Sequence, residues 1–226
     1  MRTLVQKRTY EVALSKAGLG PVAGVDEAGR GACAGPITIA ACVLPDKIIR
    51  DLDTLTDSKK LSAKQREKLF PIIKRTAISY SIIHIGPEDI DHRGIQHANV
   101  SGMRRAVAGL NIRPEYILTD ALKVPGFTAP SLPVVGGDLA CRCIAAASVL
   151  AKVSRDHIME ELDEEYPGYG LAQHKGYGTK IHSDAIKALG ATPIHRMSYS
   201  NVAEAHLEYE TTKVNRSYVE GENSER

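Results

Sequence analysis

A short apolar strand that runs directly into two adjacent carboxylates is the feature that most constrains this sequence. Residues 24–31 read GVDEAGRG, so Asp26 and Glu27 close an apolar run and glycines follow. Neighbouring side chains on a regular strand face opposite sides of a sheet, so both acids reach one site only if the strand ends or twists there. Two carboxylates at a buried strand end repel each other unless a cation lies between them, and oxygen ligands favour Mg²⁺ or Mn²⁺ over zinc. The simpler alternative is a charged turn between two strands.

The glycines of this segment allow a second interpretation, a dinucleotide-binding loop built from Gly29, Gly31 and Gly35. That fingerprint requires a helix directly after the glycines. Here Pro36 and a β-branched run follow, which predicts a strand. The dinucleotide-binding interpretation is therefore rejected.

Hydrophobic periodicity predicts strands early in the chain and helices later. Strands are expected at residues 21–26, 37–44, 79–85, 115–119 and 133–135, the first two forming a hairpin. Helices are expected over 94–110, 139–166 and 179–189. Another helix should begin at the capping box of Ser62 and Gln65, with Pro71 kinking or ending it. This order predicts an α/β domain with a mixed sheet, followed by a helical C-terminal part.

Two more acids stand at the ends of predicted elements. Asp120 closes the strand that ends at residue 119, and Asp138 follows two glycines and opens the long predicted helix. Each has an ordinary alternative, a turn aspartate for Asp120 and a helix N-cap for Asp138. Four carboxylates at element ends together favour a cluster of the kind that holds two metal ions ~3.5–4 Å apart in phosphodiester chemistry.

Composition narrows the class of protein. The chain is 43% hydrophobic and 25% charged, as in ordinary globular proteins. It has no apolar run long enough to span a membrane and no apolar secretory signal, so a cytoplasmic location is expected. Residues 204–226 hold six acidic and three basic side chains, which leaves 26 basic and 21 acidic ones, a net charge of +5, in residues 1–203. A basic body suits a polyanionic partner. The four cysteines lack zinc-site spacing and are expected to be buried.

Six motifs, in order along the chain, resemble those of bacterial ribonuclease HII, the type 2 ribonuclease H. They are GVDEAGRGACAGP at 24–36, DSKKLS at 57–62, the strand ending in Asp120, GD and IAAASVLAKVSRD within 137–156, HKGYGTKIH at 174–182 and HRMSYSNV at 195–202. The resemblance implies a ribonuclease-H-like catalytic domain over 20–165, with a central mixed sheet flanked by helices. A helical segment over 166–210 would complete the substrate groove. Residues 1–19 would be an N-terminal extension, and an acidic tail over 211–226 is expected to be disordered.

The resemblance also implies an activity. The family hydrolyses the RNA strand of RNA–DNA hybrids and nicks duplex DNA on the 5′ side of a single embedded ribonucleotide, leaving 5′-phosphate and 3′-hydroxyl ends. Its work lies in ribonucleotide excision repair and DNA replication. The family's catalytic metal-binding acids match Asp26, Glu27, Asp120 and Asp138, the same four that their positions select. The cofactor would be Mn²⁺ or Mg²⁺, used in a two-metal mechanism without a side chain as general base.

Recognition of the substrate is implied by two further matches. The backbone of Gly29, Arg30 and Gly31 is expected to contact the 2′-hydroxyl, the group that separates RNA from DNA. The family's tyrosine matches Tyr177, which is expected to stack on the sugar of the following nucleotide. The ordinary alternatives are a surface charge for Arg30 and a surface aromatic for Tyr177.

Contacts with the phosphate backbone are expected from a second group of residues. Ser148 and Lys152 share one helix face, and in the family this face lies near the substrate phosphates. Lys59 and Lys60 of the DSKKLS motif are further candidates. Three more residues could line the groove or cap local structure: His174, Lys175 and His182.

One departure from the family pattern affects these contacts. After Gly-Asp the family continues with a small residue, lysine and serine, whereas residues 139–143 here read LACRC. The lysine expected to contact phosphate is replaced by Ala140, and Arg142 need not point the same way. We expect Cys141 and Cys143 to pack in the interior.

Two alternatives stay open from the sequence. One is another metal nuclease of the same fold, which the Gly-Arg-Gly segment and Tyr177 disfavour because only 2′-hydroxyl sensing needs them. The other is a non-catalytic RNA–DNA hybrid-binding module, which the presence of all four acids disfavours. No feature indicates an oligomer or a membrane partner. We therefore expect a monomer that binds RNA–DNA hybrid and ribonucleotide-containing duplex DNA.

Overall fold

The strands of the computed structural model, which describes residues 9–224, form one mixed sheet. They are β1 (Val22–Ala28), β2 (Ile37–Val43), β3 (Ser79–Ile85), β4 (Tyr116–Asp120) and β5 (Ser131–Val134), in the spatial order β3-β2-β1-β4-β5. β1 pairs antiparallel with β2 and parallel with β4. The predicted hairpin and mixed sheet are therefore confirmed.

Helices connect and follow these strands along the described part of the chain. They are α1 (Thr9–Lys16), α2 (Ala63–Thr76), α3 (Pro87–Arg93), α4 (Ile95–Ala108), α5 (Gly137–Ala140), α6 (Arg142–Glu165), α7 (Leu171–His174), α8 (Lys180–Leu189) and α9 (Ser200–Ser224). Ser62 and Gln65 form the predicted capping box of α2. That helix nevertheless continues through Pro71, which lies on its exposed face.

Other predicted segments differ from the structure. The helix expected over 139–166 is interrupted at Cys141, whose backbone is extended between α5 and α6. Most of the tail expected to be disordered is helical, because α9 continues to Ser224; residues 225–226 lie outside the described part. Glutamate and lysine are good helix formers, so a polar segment can extend a helix that has already started. Residues 1–8 of the expected N-terminal extension also lie outside the described part, and the rest includes α1.

Two compact units divide the described residues. The first comprises residues 9–30, 37–85 and 96–155, and the second comprises 31–36, 86–95 and 156–224. The second unit has its own apolar core, formed by Cys33, Ala34, Met159, Tyr169, Leu171, Ile186, Ile194, Val202 and Ala205. The division falls inside α6 rather than at residue 165, because the part of α6 around Met159 packs into this second core.

The cysteines and the membrane prediction can be checked directly. Cys33, Cys42, Cys141 and Cys143 are all buried free thiols, as predicted. Within residues 9–224, no helix combines the length and the apolar character that crossing a bilayer requires.

Candidate active site

Strand pairing places Asp26 and Asp120 side by side. β1 and β4 run parallel, with Val25 opposite Thr119, so the next residue on each strand is an aspartate. Asp26 is buried, with 6% of its surface exposed, and Asp120 is the last residue of β4. The first and third acids singled out from the sequence therefore meet at one end of the sheet.

Glu27 reaches this region although β1 does not end between the two acids. The strand stays paired with β2 through Ala28, so Asp26 and Glu27 face opposite sides of the sheet. Asp26 accepts a hydrogen bond from Ser148 on α6, whereas Glu27 lies beside Asn99 on α4. The negative charge of Asp120 contributes to the raised pKa of both carboxylates. The acids come together because β4 stops at Asp120, not because β1 stops at Asp26.

The fourth acid is held next to Asp120 by a backbone turn. The N–H of Gly137 donates to Oδ1 of Asp120 at 2.8 Å, and Asp138 follows in the first turn of α5. Gly136 occupies the N-cap position of α5, so Asp138 is not the N-cap. Burial raises the pKa of Asp138 to about 6, and the nearby Asp120 and Asp57 contribute to the rise.

The electrostatics of the four acids fit a bound cation. Burial raises the pKa of Asp26 well above its usual range, and the charges of Glu27 and Asp120 raise it further. Burial also raises the pKa of Glu27. A divalent ion would relieve this repulsion, and a donor set of carboxylate oxygens suits a hard ion. Within residues 9–224, no three or more His, Cys, Asp or Glu side chains are already spaced as metal ligands.

Lys59, a predicted phosphate contact, interacts electrostatically with the acids. Although partial burial acts in the opposite direction, the charges of Asp138, Asp57, Asp26 and Asp120 raise the pKa of its ammonium. Oδ1 of Asp57 accepts a hydrogen bond from the Lys59 N–H at 2.8 Å, which fixes the backbone from which this lysine extends. Lys60 is also exposed.

The other residues considered for phosphate contact, Ser148, Lys152 and Arg142, differ in burial and in hydrogen bonding. Ser148 is buried, its hydroxyl lies 2.8 Å from that of Ser58, and it donates a hydrogen bond to Asp26. It therefore supports a carboxylate and does not lie on an open surface. Lys152 is partly buried one turn further along α6. Arg142 is buried and bonds the carbonyl of Leu52. Arg142 therefore does not replace the missing lysine.

The Gly-Arg-Gly segment begins in the first unit, where Gly29 has a φ of +82°. A Cβ at Gly29 would lie 1.9 Å from Nε of the buried Arg155, so only glycine fits. Arg30 is exposed, donates to Oε1 of Gln96 at 3.0 Å and opposes the rise in the pKa of Glu27. Gly31 is exposed as well.

Tyr177 lies in the second unit, between α7 and α8, with 41% of its surface exposed. Its N–H bonds the carbonyl of His174 at 3.0 Å, and its own carbonyl accepts from the N–H of Thr179 at 2.8 Å. His182 is fully buried, and Lys175 pairs with Glu160 at 2.6 Å. The turn that carries the tyrosine is thus a defined structure with an exposed ring.

Two residues near the acids were missed in the sequence. Asp57, which raises the pKa of Asp138, is the first residue of the DSKKLS motif, in which only the lysines were predicted to have a role. Asn99 is fully buried, and neither polar atom of its amide has a hydrogen-bond partner, yet it lies close enough to Glu27 to lower the pKa of that acid. Its signal in the sequence was a polar residue between Ile95 and Met103 on the apolar face of a helix.

Comparison with known proteins agrees with this architecture. A family model described as Ribonuclease HII matches residues 23–202. Ribonuclease HII of Corynebacterium efficiens is 63% identical over 209 residues, which cover 92% of this chain and 90% of that protein. Ribonuclease HII of Rhodococcus erythropolis is 60% identical over 203 residues, 90% of each chain.

Solved structures confirm the predicted ribonuclease-H-like fold. The crystal structure of ribonuclease H2 from Pyrococcus horikoshii matches with a TM-score of 0.73 and 29% identity, covering 84% of this chain and 98% of that one. Bst-RNase HIII in complex with Mn²⁺, at 20% identity, has a TM-score of 0.70 and covers 88% of this chain and 74% of its own. The chain therefore belongs to the ribonuclease HII family, whose members are divalent-metal-dependent endoribonucleases that hydrolyse the RNA strand of RNA–DNA hybrids.

Proposed function

We propose that this enzyme also nicks duplex DNA on the 5′ side of a single embedded ribonucleotide, and that it uses two divalent ions, Mg²⁺ or Mn²⁺. The ions would be held by the four acids Asp26, Glu27, Asp120 and Asp138. The observation that carries the proposal is their mutual electrostatic interaction where β4 ends and α5 begins. When bound, the ions would make the attacking water more acidic and stabilise charge on the departing 3′ oxygen.

The chain's own contribution is to hold these carboxylates in place. Ser148 orients Asp26, and the Gly137 N–H orients Asp120. With a pKa of about 6, Asp138 is mostly ionised at neutral pH and available as a ligand. Water would attack the phosphorus and the bond to the 3′ oxygen would break, so the products would carry 5′-phosphate and 3′-hydroxyl ends. No side chain is assigned as general base.

Recognition of the ribonucleotide is proposed for Gly29, Arg30, Gly31 and Tyr177. A backbone without a Cβ at Gly31 can approach a sugar edge closely, and a Cβ built there meets nothing within 4 Å of the chain itself. Tyr177 would stack on the next sugar, where a 2′-hydroxyl fits less well than a deoxyribose. Its exposed ring supports this role and would explain a preference for the RNA–DNA junction.

Lys59 and Lys152 are proposed to contact phosphates, and Ser148 to act through Asp26. The activity would place the enzyme in ribonucleotide excision repair and DNA replication in the cytoplasm, where it would act as a monomer. The non-catalytic alternative is disfavoured by family membership, and the alternative of another nuclease of this fold by the identity to ribonuclease HII proteins.

Sulfur substitution tests whether a metal contacts the leaving oxygen. A duplex whose scissile 3′ oxygen is replaced by sulfur should be cleaved poorly with Mg²⁺ and be rescued by a softer ion such as Cd²⁺, because hard ions bind sulfur weakly. The oxygen substrate with the same ions is the control. Equal Mg²⁺-dependent rates on the sulfur and oxygen substrates would contradict metal contact at the departing atom.

A further inference from the structure

A chain of hydrogen bonds inside the second unit ends on the carbonyl oxygen of Tyr177. His182 and His195, whose exposed fractions are 0% and 1%, form its centre, with their Nε2 atoms 3.2 Å apart. His182 Nδ1 lies 3.0 Å from the Tyr177 carbonyl oxygen. Thr192 lies at the far end, where its N–H is 3.0 Å from His195 Nδ1.

The partners determine which nitrogen of each ring carries the proton. A carbonyl oxygen can only accept, so His182 Nδ1 is protonated and donates to Tyr177. His195 Nδ1 lies 3.0 Å from the N–H of Thr192, 3.0 Å from its hydroxyl and 3.3 Å from its carbonyl oxygen. The N–H, which can only donate, is the closer of the two backbone groups, so we assign His195 Nδ1 as the acceptor and its proton to Nε2. The two Nε2 atoms then form a bond in which His195 donates to His182. The chain is directed from Thr192 through both histidines to the tyrosine.

Both rings must be neutral for this chain to exist. A second proton on His182 would place two Nε2–H groups opposite each other. A second proton on His195 would replace the bond from the Thr192 N–H by one to the Thr192 hydroxyl or carbonyl oxygen. Burial lowers the pKa of each histidine to about 4, so both are neutral near pH 7. The ring of His174 stacks on His182, with centroids 4.5 Å apart, and further restricts its movement.

The same turn is held from its other side by the backbone. The carbonyl of Gly176 accepts hydrogen bonds from the N–H groups of Cys33 and Ala34, at 2.7 and 3.2 Å. A Cβ at Gly176 would lie 2.6 Å from the Ala34 carbonyl oxygen, so glycine allows this close approach. Residues 33–34 follow Gly31 almost directly in the chain. The turn is therefore fixed on one side by residues 33–34 and on the other by His182.

We propose that His182 and His195 are positioning residues that fix the Tyr177 peptide, and with it the direction of the ring, for recognition of the RNA–DNA junction. This inference rests on the proposed role of Tyr177. Both histidines are buried in the protein, so they act through the tyrosine and not on the substrate.

A double-mutant cycle tests the inference. The quantity measured is the junction ratio, the kcat/KM on a single-ribonucleotide duplex divided by that on a long RNA–DNA hybrid. We expect His182→Ala and Tyr177→Ala each to lower this ratio by about 5- to 10-fold, the size of one lost stacking contact. The double variant should fall no further than Tyr177→Ala alone, because both changes remove one interaction. His182→Asn, whose amide can donate in place of Nδ1, should recover most of the ratio.

The outcomes separate the two levels of the proposal. If Tyr177→Ala lowers the ratio but His182→Ala reduces both activities equally, the histidine serves only the fold and the inference is overturned. If Tyr177→Ala leaves the ratio unchanged, the proposed role of the tyrosine fails and the inference falls with it. His84→Asn is the matched control, because His84 bonds the hydroxyl of Thr38 on the sheet of the first unit and should leave the ratio unchanged.

A second measurement needs no variant. Long-range ¹H–¹⁵N spectra of the histidine-labelled wild-type enzyme near pH 7 should show His182 protonated at Nδ1 and His195 at Nε2. Finding His182 protonated at Nε2 would overturn the inference, because the bond to Tyr177 would then be missing.

Discussion

The N–H of Gly137 donates a hydrogen bond to Oδ1 of Asp120 at 2.8 Å. This single bond ties the end of β4 to the start of α5, and so places Asp120 beside Asp138, the next residue after the donor. Two acids that lie far apart in the sequence share one site through this contact. The geometry depends on an acceptor at residue 120, whereas the chemistry requires its charge.

Asp120→Asn separates these two requirements. The Asn oxygen can still accept from Gly137, but the charge that raises the pKa of Asp26, Glu27 and Asp138 is gone. We expect cleavage of RNA–DNA hybrid to fall by about 100-fold or more. In chelator, the melting temperature should equal or exceed that of the wild type. A variant that stays active, or one that melts well below the wild type, would contradict this assignment.

Replacement of two glycines by alanine should affect stability at one position and activity at the other. A Cβ at Gly24 would lie 2.2 Å from the backbone carbon of Cys143 in the packing of β1 on α6, and backbone cannot move aside cheaply. Gly24→Ala should therefore lower the free energy of unfolding by about 1–3 kcal/mol. Gly31→Ala has open space and should leave it unchanged while slowing hybrid cleavage. Urea unfolding and steady-state rates test both, and equal stability losses would contradict the prediction.

Neighbouring lysines provide a matched pair. The charge of Lys59 interacts with Asp138, Asp26 and Asp120. Lys59→Ala should reduce hybrid cleavage about tenfold, the size of one lost charge-assisted phosphate contact. The Lys59→Ala variant should bind Mg²⁺ at least as tightly as the wild type, because a competing positive charge has been removed. Lys60→Ala should change neither quantity. Calorimetric titration with Mg²⁺ and cleavage assays test this; equal effects at both positions would exclude a specific role for Lys59.

Asp138 should contribute less to the stability of the enzyme in chelator as the pH rises from about 4 to 6. Burial raises the pKa of Asp138 from 3.8 to about 6, so in this range its carboxyl binds more protons in the folded state than in the unfolded state. Its contribution to the free energy of unfolding therefore falls with rising pH, and the raised pKa values of Asp26 and Glu27 act in the same direction. The lowered pKa values of His182 and His195 act in the opposite direction, so the quantity to compare is the free energy of unfolding of the wild type minus that of Asp138→Asn. In urea unfolding this difference should decrease across the range, and a difference that does not change with pH would show that Asp138 is not responsible.

Activity should follow the opposite trend. Metal ions bind deprotonated carboxylates, so the rate at limiting Mg²⁺ should rise over the same pH interval. Raising the Mg²⁺ concentration should move the midpoint to lower pH. A midpoint that does not respond to Mg²⁺ would assign the pH dependence to another group.

Much of the fold could be predicted because its signals are local. The apolar β-branched runs of β1 and β2 and the capping box at Ser62 depend on nearby residues only. The clustering of Asp26 and Asp120 was also predictable, since both follow buried strands. The continuation of β1 to Ala28 was not, because pairing with β2 overrides the turn signal of the glycines.

The parts that were missed depend on contacts between distant residues. Asn99 and Asp57 reach the acids only after α4 and the residue 57–62 segment have packed in the first unit. Ser148 was expected at the substrate surface, but its pairing with Ser58 and Asp26 buries it. The tail over 211–226 was expected to be disordered, but α9 continues to Ser224, because a segment too polar to form a core can still extend a helix.

A labelled DNA duplex with one ribonucleotide provides the most direct measurement. With Mg²⁺ or Mn²⁺ the enzyme should nick on the 5′ side of that ribonucleotide, leaving a 3′-hydroxyl. Chelator and an all-DNA duplex should each abolish the product, and the Asp120→Asn enzyme should form it at least about 100-fold more slowly. Cleavage of long RNA–DNA hybrid alone would contradict the junction role of Tyr177, and nicking that persists in chelator would contradict the metal site of the four acids.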